Sequence, residues 1–199
     1  MFDRIRRARS HDESSELERL VLGASGGDQE ALALLCAEIS RSVLFQVTYM
    51  VGGDQSGVED IAQEVLIRVC EKIHTLRNPK AFKGWLARII LNEKNRYLSR
   101  VSRIATVLSI DDYLETLLED DTEGIPHEFA ESEELREAML QAVRGLPMRQ
   151  REAIILHYYS GLSVTEVADA MEVTTQSVSK SLALAREKLR AELEEYRSG

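Results

Sequence analysis

The segment from 164 to 189, VTEVADAMEVTTQSVSKSLALAREKL, restricts the possible folds more than any other part of the chain. Ser163 and Glu166 have capping-box spacing at its start, and Thr174 can cap a second helix. The pattern predicts a helix-turn-helix, which places its second helix in the DNA major groove; a plain helical hairpin is the alternative. Since Glu172 stands where the turn most often has glycine, we expect a positive φ there. The apolar residues that the helix crossing would bury are Val164, Val167, Ala168, Met171, Val173, Val178 and Leu182.

Helix start and stop signals continue along the rest of the chain. Asp28 can cap one helix, and Asn78-Pro79 is a cap followed by proline at the first helical position. With only three prolines and few β-branched runs, the sequence predicts an all-α fold of two small helical domains. The predicted divisions are an N-terminal extension at 1–14, a helical bundle at 15–104, an acidic linker at 105–132 and a helix-turn-helix domain at 133–199.

The charge of the chain is unevenly distributed. The formal net charge is -9, yet residues 72–103 contain nine cations and one acid, whereas residues 111–137 contain twelve acids and one arginine. Such an asymmetry between neighbouring segments is typical of a nucleic-acid-binding face beside an acidic tract. Solvated helix faces without a ligand are the alternative.

Composition and motifs exclude several classes of protein. No phosphate-binding glycine loop, metal-ligand spacing or nucleophile motif is present, so we expect neither an enzyme nor a cofactor or metal. No apolar run approaches the roughly 18 residues of a membrane span, and the N-terminus lacks a signal-peptide pattern, so we expect a cytoplasmic protein without membrane insertion. Cys36 and Cys70 lie far apart in apolar helical patterns, which predicts inert core thiols and no disulfide.

The predicted helix at 56–76 has an apolar face and an opposite stripe of Asp60, Gln63, Glu64, Ile67, Arg68 and Glu71. Because the next helix is strongly basic, this acid-rich stripe is a poor DNA face. It is either solvated or a docking surface for a protein.

The following predicted helix combines cations, amides and a tryptophan on one side. Its opposite side is apolar, with Leu86, Ile90, Tyr97 and Val101. Cations that follow a backbone, aromatic rings that stack and amides that read base edges suit strand-separated DNA. Lys80 and Phe82 could form a pocket for an unstacked base. The alternative is a core tryptophan with solvated arginines. The polar side consists of Trp85, Arg88, Asn92, Asn95, Arg96, Ser99 and Arg103.

Three stretches in this order, VEDIAQEVLIRV, AFKGWLARIILNEKNRYLSR and LPMRQREAIILHYYSGLSVTEVADAMEVT, resemble the sigma-70 family. More narrowly, they are similar to the two-domain extracytoplasmic-function sigma factors, over about 15–103 and 133–192. The resemblance implies a transcription initiation factor that directs core RNA polymerase to promoters by melting the −10 element and reading the −35 element. The implied partners are core RNA polymerase, promoter DNA and an anti-sigma factor.

The resemblance also implies roles for individual residues. Core-polymerase binding falls on Asp60, Gln63, Glu64 and Arg68. Contacts to the −10 element fall on Lys80, Phe82, Trp85, Arg88, Asn92, Asn95 and Arg96. Contacts to the −35 element fall on Arg149, Arg151, Thr175, Gln176, Ser177, Ser179, Lys180 and Arg186.

The second helix of the helix-turn-helix departs from the family pattern. It has Ser179, Lys180 and Ser181 where members often have more cations, and Ala183 and Leu184 one turn later. Few phosphate contacts are available there, so we expect weak DNA binding by this domain alone. The alternative function is a stand-alone helix-turn-helix DNA-binding regulator, which would leave the acid-rich stripe and Trp85 unexplained.

Overall fold

The structure is a computed structural model that describes residues 11–51, 55–107 and 133–194. Every regular element in these ranges is a helix, which confirms the all-α prediction. Most of the predicted linker at 105–132 lies outside the described residues, as does most of the extension at 1–14.

The described helices fall into two compact units. The first contains α1 (His11–Ser25, within the unit from Ser15 on), α2 (Gln29–Val51), α3 (Gln55–Lys72) and α4 (Phe82–Val107), with 3₁₀ turns at Ile73–Thr75 and Pro79–Ala81. The second contains α5 (Glu133–Arg144), α6 (Met148–Ile154), a π-helical turn (Ile155–Tyr159), α7 (Val164–Met171) and α8 (Thr175–Glu192).

Side-chain caps begin several of these helices. Asp28 Oδ1 accepts from the backbone N–H groups of Glu30 (2.9 Å) and Ala31 (3.1 Å), and Asn78 Oδ1 accepts from Lys80 N (3.1 Å) ahead of α4. Both caps were predicted, and they fix where the chain turns into α2 and towards α4.

Helix α2 is long and apolar enough to span a membrane by length and composition, and it is the one such helix in the described ranges. The expectation that no segment meets this criterion was therefore too strict. A core helix of a helical bundle meets it as well. Leu35, Val43 and Val47 of α2 are fully buried, and the helix packs against α3 and α4.

Helix α4 is surrounded on more sides than its predicted amphipathic pattern suggested. Between Leu86 and Lys94 only Arg88 and Asn92 are exposed; Glu93 is 6% exposed and Lys94 is completely buried. A glycine allows the close approach of α3, because a Cβ atom on Gly57 would overlap the ring of Tyr97. The backbone of α3 therefore lies directly against the side of α4.

The second unit has the predicted helix-turn-helix. Ser163 and Glu166 form a reciprocal capping box at α7, and Thr174 Oγ1 accepts from Ser177 N (3.2 Å) at α8. Glu172 ends α7 with φ 55° and ψ 44°, in the left-handed region, as predicted. Of the seven apolar residues expected at the crossing, Val167, Ala168, Val178 and Leu182 are buried and the other three are half-buried.

Candidate docking and nucleic-acid interfaces

The apolar face of α3 turns inward and its acid-rich stripe turns outward. Val58, Ile61, Val65 and Val69 are buried, with Ala62 beside them. The stripe residues Asp60, Gln63, Glu64, Ile67 and Glu71 are all exposed. Ile67, 42% exposed, provides an apolar centre among carboxylates. This combination of one apolar side chain with surrounding charge suits a protein partner better than solvent alone.

Arg68 is the stripe residue that connects to the rest of the unit. Its Nη1 donates to Glu71 Oε2 (2.6 Å), and its Nη2 lies 3.8 Å from Glu64 Oε2. Its Nε donates across to Glu93 Oε1 on α4 (3.2 Å). These carboxylates, with Glu71 first and Glu93 second, raise the pKa of Arg68 above its usual range. The guanidinium is thus held in one place between the two helices.

The predicted −10 residues follow the exposed side of α4. Arg88, Asn92, Asn95 and Arg96 are exposed there, and Lys80 is exposed in the 3₁₀ turn before it. Arg96 Nη1 lies 3.1 Å from Glu93 Oε2, so Glu93 receives guanidinium groups from both sides. The helix therefore presents two amides between cations, the arrangement expected for contacts with nucleic acid.

Phe82 and Trp85 form an aromatic pair at the N-terminal end of α4. Phe82 is 2% exposed, so its ring does not line an open pocket as predicted. Trp85 is half-buried, and its ring centroid lies 5.8 Å from that of Phe82 with an interplanar angle of 34°. Phe82 supports Trp85 from the core, and Trp85 remains partly accessible for stacking.

In the second unit, α8 buries one side and exposes the other. Val178, Leu182, Ala185 and Leu189 are buried. At 100° per residue, the direction opposite the core holds Gln176, Lys180, Ala183 and Glu187, which are all exposed. This outer side has one cation and one acid, so its own attraction to phosphate is weak.

Other predicted −35 residues have local structural partners. Ser177 closes the α8 cap with Thr174 (Oγ to Oγ1, 2.9 Å), and Arg186 Nε donates to Leu182 O (3.2 Å). Arg151 is half-buried, and its Nη1 donates to Arg144 O (3.1 Å) at the end of α5. Burial lowers the pKa of Arg151. Arg149, Thr175 and Ser179 are exposed.

The prediction that both cysteine thiols lie in the core was wrong. Cys36 on α2 is half-buried, Cys70 on α3 is exposed, and their Sγ atoms are 3.6 Å apart. Neither thiol belongs to the core. Among the described residues, no three or more His, Cys, Asp or Glu side chains are placed to hold a metal ion together.

Sequence reasoning also missed the role of Glu93. It is the single acid among nine cations in 72–103, and it lies three residues before Arg96. That isolation was a usable signal, because a lone carboxylate in a basic segment is expected to be paired. Its partner on α3 depends on which faces of the two helices meet, and the sequence alone does not give this.

Both units match known sequence families. Residues 38–104 match the family described as "Sigma-70 region 2", and residues 136–189 match "Sigma-70, region 4". The first match contains the acid-rich stripe and most of α4, and the second contains the helix-turn-helix.

Similar proteins extend over most of the chain. The RNA polymerase sigma factor NccH of Alcaligenes xylosoxydans xylosoxydans is 33% identical, over 89% of this chain and 94% of the relative. The ECF RNA polymerase sigma-E factor of Escherichia coli (strain K12) is 31% identical, over 84% of this chain and 89% of the relative.

Two solved structures share the fold at lower identity. The sigma factor RpoE in complex with the anti-sigma factor NepR from Bartonella quintana has a TM-score of 0.62 at 20% identity, over 81% of this chain and 93% of that one. CnrH in complex with the cytosolic domain of CnrY has a TM-score of 0.58 at 22% identity, and the match covers 90% of this chain and 97% of that one.

Proposed function

Because this chain belongs to the sigma-70 family, as a sigma factor of the extracytoplasmic-function type, we propose that it recruits core RNA polymerase through α3 and opens promoters through α4. Sigma factors are transcription factors and not enzymes, and this chain acts in transcription initiation. The observation that carries the finer proposal is that one packed unit exposes an acid-rich stripe on α3 and a basic, amide-bearing side on α4.

Core-polymerase binding is assigned to the stripe. Asp60, Gln63 and Glu64 are exposed side by side on two turns of α3, with Ile67 next to them. Arg68 keeps the carboxylate of Glu64 close to the helix surface. A preorganised set of this kind loses little side-chain entropy on docking, which favours binding.

Reading and melting of the −10 element are assigned to α4. Trp85 offers a partly accessible ring on which an unpaired base can stack, and base–aromatic stacking contributes about 1–3 kcal/mol per base. Asn92 and Asn95 are exposed amides suited to base edges, and the exposed guanidinium groups of Arg88 and Arg96 attract phosphates. Phe82 takes part only by supporting Trp85.

The −35 element is assigned to the outer side of α8, in duplex form. Gln176 and Lys180 are exposed polar side chains that point away from the core, and Arg149 is exposed in the first turn of α6. With so few cations, this surface binds DNA weakly by itself. Core polymerase then supplies most of the non-specific attraction, so the free protein does not occupy promoters unproductively.

We expect an anti-sigma factor to regulate this chain. We also expect the chain to act in the cytoplasm, where polymerase and promoters are found. The support is that the sigma factor RpoE, which shares this fold, was solved with the anti-sigma factor NepR, and that CnrH, of similar fold, was solved with the cytosolic domain of CnrY.

The test separates polymerase docking from promoter opening. Transcript formation and permanganate reactivity of promoter thymines are measured with the chain alone, with core polymerase alone and with both. Opening is expected only in the mixture. Alanine at Asp60, Gln63 and Glu64 together should weaken core binding about a hundredfold, as loss of an interface hot spot does.

A matched control is the double variant Glu30→Ala and Glu38→Ala, which removes two exposed acids from α2 and should leave core binding unchanged. Trp85→Ala should keep core binding but abolish thymine reactivity, and Trp85→Phe should retain part of it. Tight, sequence-specific duplex binding by the chain alone, unaffected by core polymerase, would instead establish a stand-alone helix-turn-helix regulator.

A further inference from the structure

Two thiols meet on the surface of the first unit, 34 positions apart in sequence. Cys36 projects from α2 and Cys70 from α3, with 3.6 Å between the Sγ atoms. A disulfide bond is about 2.0 Å long, so bond formation needs an approach of about 1.5 Å, within reach of side-chain rotation. They are the two cysteines of the chain.

The backbones that carry these thiols are held in place. Leu35 precedes Cys36 and Val69 precedes Cys70; both of these side chains are fully buried, and the two helices that carry them pack against each other. The two sulfurs therefore stay close together while the unit is folded.

We propose that Cys36 and Cys70 form a reversible oxidation site, at which a peroxide or a small-molecule disulfide converts the two thiols into a disulfide that joins α2 to α3. A structural zinc ion normally has four ligands, and no third Cys, His, Asp or Glu completes a cluster here among the described residues. The thiol chemistry is independent of the proposed function.

The two cysteines have different tasks. Cys70 is exposed and reacts first with the oxidant. Cys36 is half-buried, and burial followed by the neighbouring Cys70 raises the pKa of its thiol to about 11, so it stays protonated and reacts slowly with reagents in solution. It is placed to resolve the oxidised Cys70.

Hydrogen peroxide oxidises the two thiols in two steps. The Cys70 sulfur attacks a peroxide oxygen; an S–O bond forms, the O–O bond breaks, and a sulfenic acid and water result. The Cys36 sulfur then attacks the Cys70 sulfur; the S–S bond forms, the S–O bond breaks, and hydroxide leaves with the Cys36 proton as water. Two thiols are oxidised, and one peroxide is reduced to two waters.

The disulfide would be a covalent cross-link between α2 and α3. It closes a loop of the unfolded chain and so disfavours unfolding of the first unit. Cys70 lies seven positions after Gln63, which places the two within about 20° of each other around α3. The disulfide therefore lies at the edge of the stripe assigned to polymerase docking.

The experiment uses the full-length protein with hydrogen peroxide, and separately with a glutathione redox buffer. We expect a monomer that loses both free thiols and two hydrogen atoms of mass, yields one cross-linked peptide pair, and recovers with dithiothreitol. In the glutathione buffer, the folded chain should form the disulfide roughly a hundredfold more favourably than the chain in denaturant, because folding raises the effective thiol concentration.

Single variants test the assigned order. Cys36→Ser should accumulate a sulfenic acid at Cys70 that a dimedone probe captures, and Cys70→Ser should react roughly tenfold more slowly with peroxide. The oxidised wild-type chain should melt several degrees above the reduced chain, and the double serine variant should show no oxidant dependence. The proposal would be overturned if the folded protein kept its thiols free under conditions that oxidise the denatured chain. It would also be overturned if oxidation gave only intermolecular disulfide dimers.

Discussion

Arg68 on α3 and Glu93 on α4 are joined by a hydrogen bond of 3.2 Å from Nε to Oε1. Arg68 is held at the same time by Glu71 at 2.6 Å, and Glu93 by Arg96 at 3.1 Å. A chain of alternating charges therefore runs from the stripe assigned to polymerase docking to the side of α4 assigned to the −10 element. It fixes the register in which one helix packs on the other.

Glu93→Gln should destabilise the first unit by about 2 kcal/mol. The buried carboxylate is lost while two guanidinium groups remain at the site. Glu71→Gln removes an exposed carboxylate from the same arginine and should cost under about 0.5 kcal/mol. Urea unfolding compares the two variants, and equal effects would mean that burial of Glu93 contributes nothing.

Gly57→Ala should destabilise the chain by about 1–3 kcal/mol, although alanine has the higher helix propensity. The added Cβ atom overlaps the outer end of the Tyr97 ring, so either that half-buried ring or one of the helices has to move. Gly84→Ala is the matched control, because a Cβ atom there meets nothing within 4 Å; it should stabilise α4 by up to about 1 kcal/mol.

Thermal unfolding of both glycine variants measures this difference. A Tyr97→Ala partner mutation should recover part of the loss in Gly57→Ala, since the two sites share one contact. Independent, additive effects would contradict the close approach of α3 to α4.

Glu172→Gly should stabilise the second unit by about 0.5–1 kcal/mol. Glu172 has φ 55°, where a side chain is strained and glycine is not. The same substitution at Glu187, an exposed position within α8, should cost about 1 kcal/mol of helix propensity. The unfolding midpoint should rise for Glu172→Gly and fall for Glu187→Gly. A lower midpoint in both variants would argue against strain at the turn.

Ala183→Lys should strengthen binding of the polymerase holoenzyme to a duplex that contains the −35 element. The new cation lies on the outer side of α8, and one added phosphate contact steepens the salt dependence of binding by about 1 in log–log slope. Ala37→Lys adds the same charge to an exposed site on α2 and should leave the slope unchanged. Fluorescence anisotropy at several salt concentrations measures both.

The sequence by itself determined the all-α class and the starts of several helices. Local rules set the capping box at Ser163, the caps at Asp28 and Asn78 and the left-handed Glu172, because a cap needs a given side chain within three residues of a free N–H. Periodicity set the stripe on α3 for the same reason: neighbours on a helix face are fixed by their spacing along the chain.

Tertiary structure alone decided what meets across helices. Cys36 was expected in the core and instead faces Cys70 near the surface. The pairing of Glu93 with Arg68 depends on how α3 packs on α4, which the sequence does not give. Phe82 became buried and Trp85 half-buried at one end of the same helix. Such pairings depend on the rotation and separation of packed helices, which are set by the fit of many side chains together and not by any local pattern.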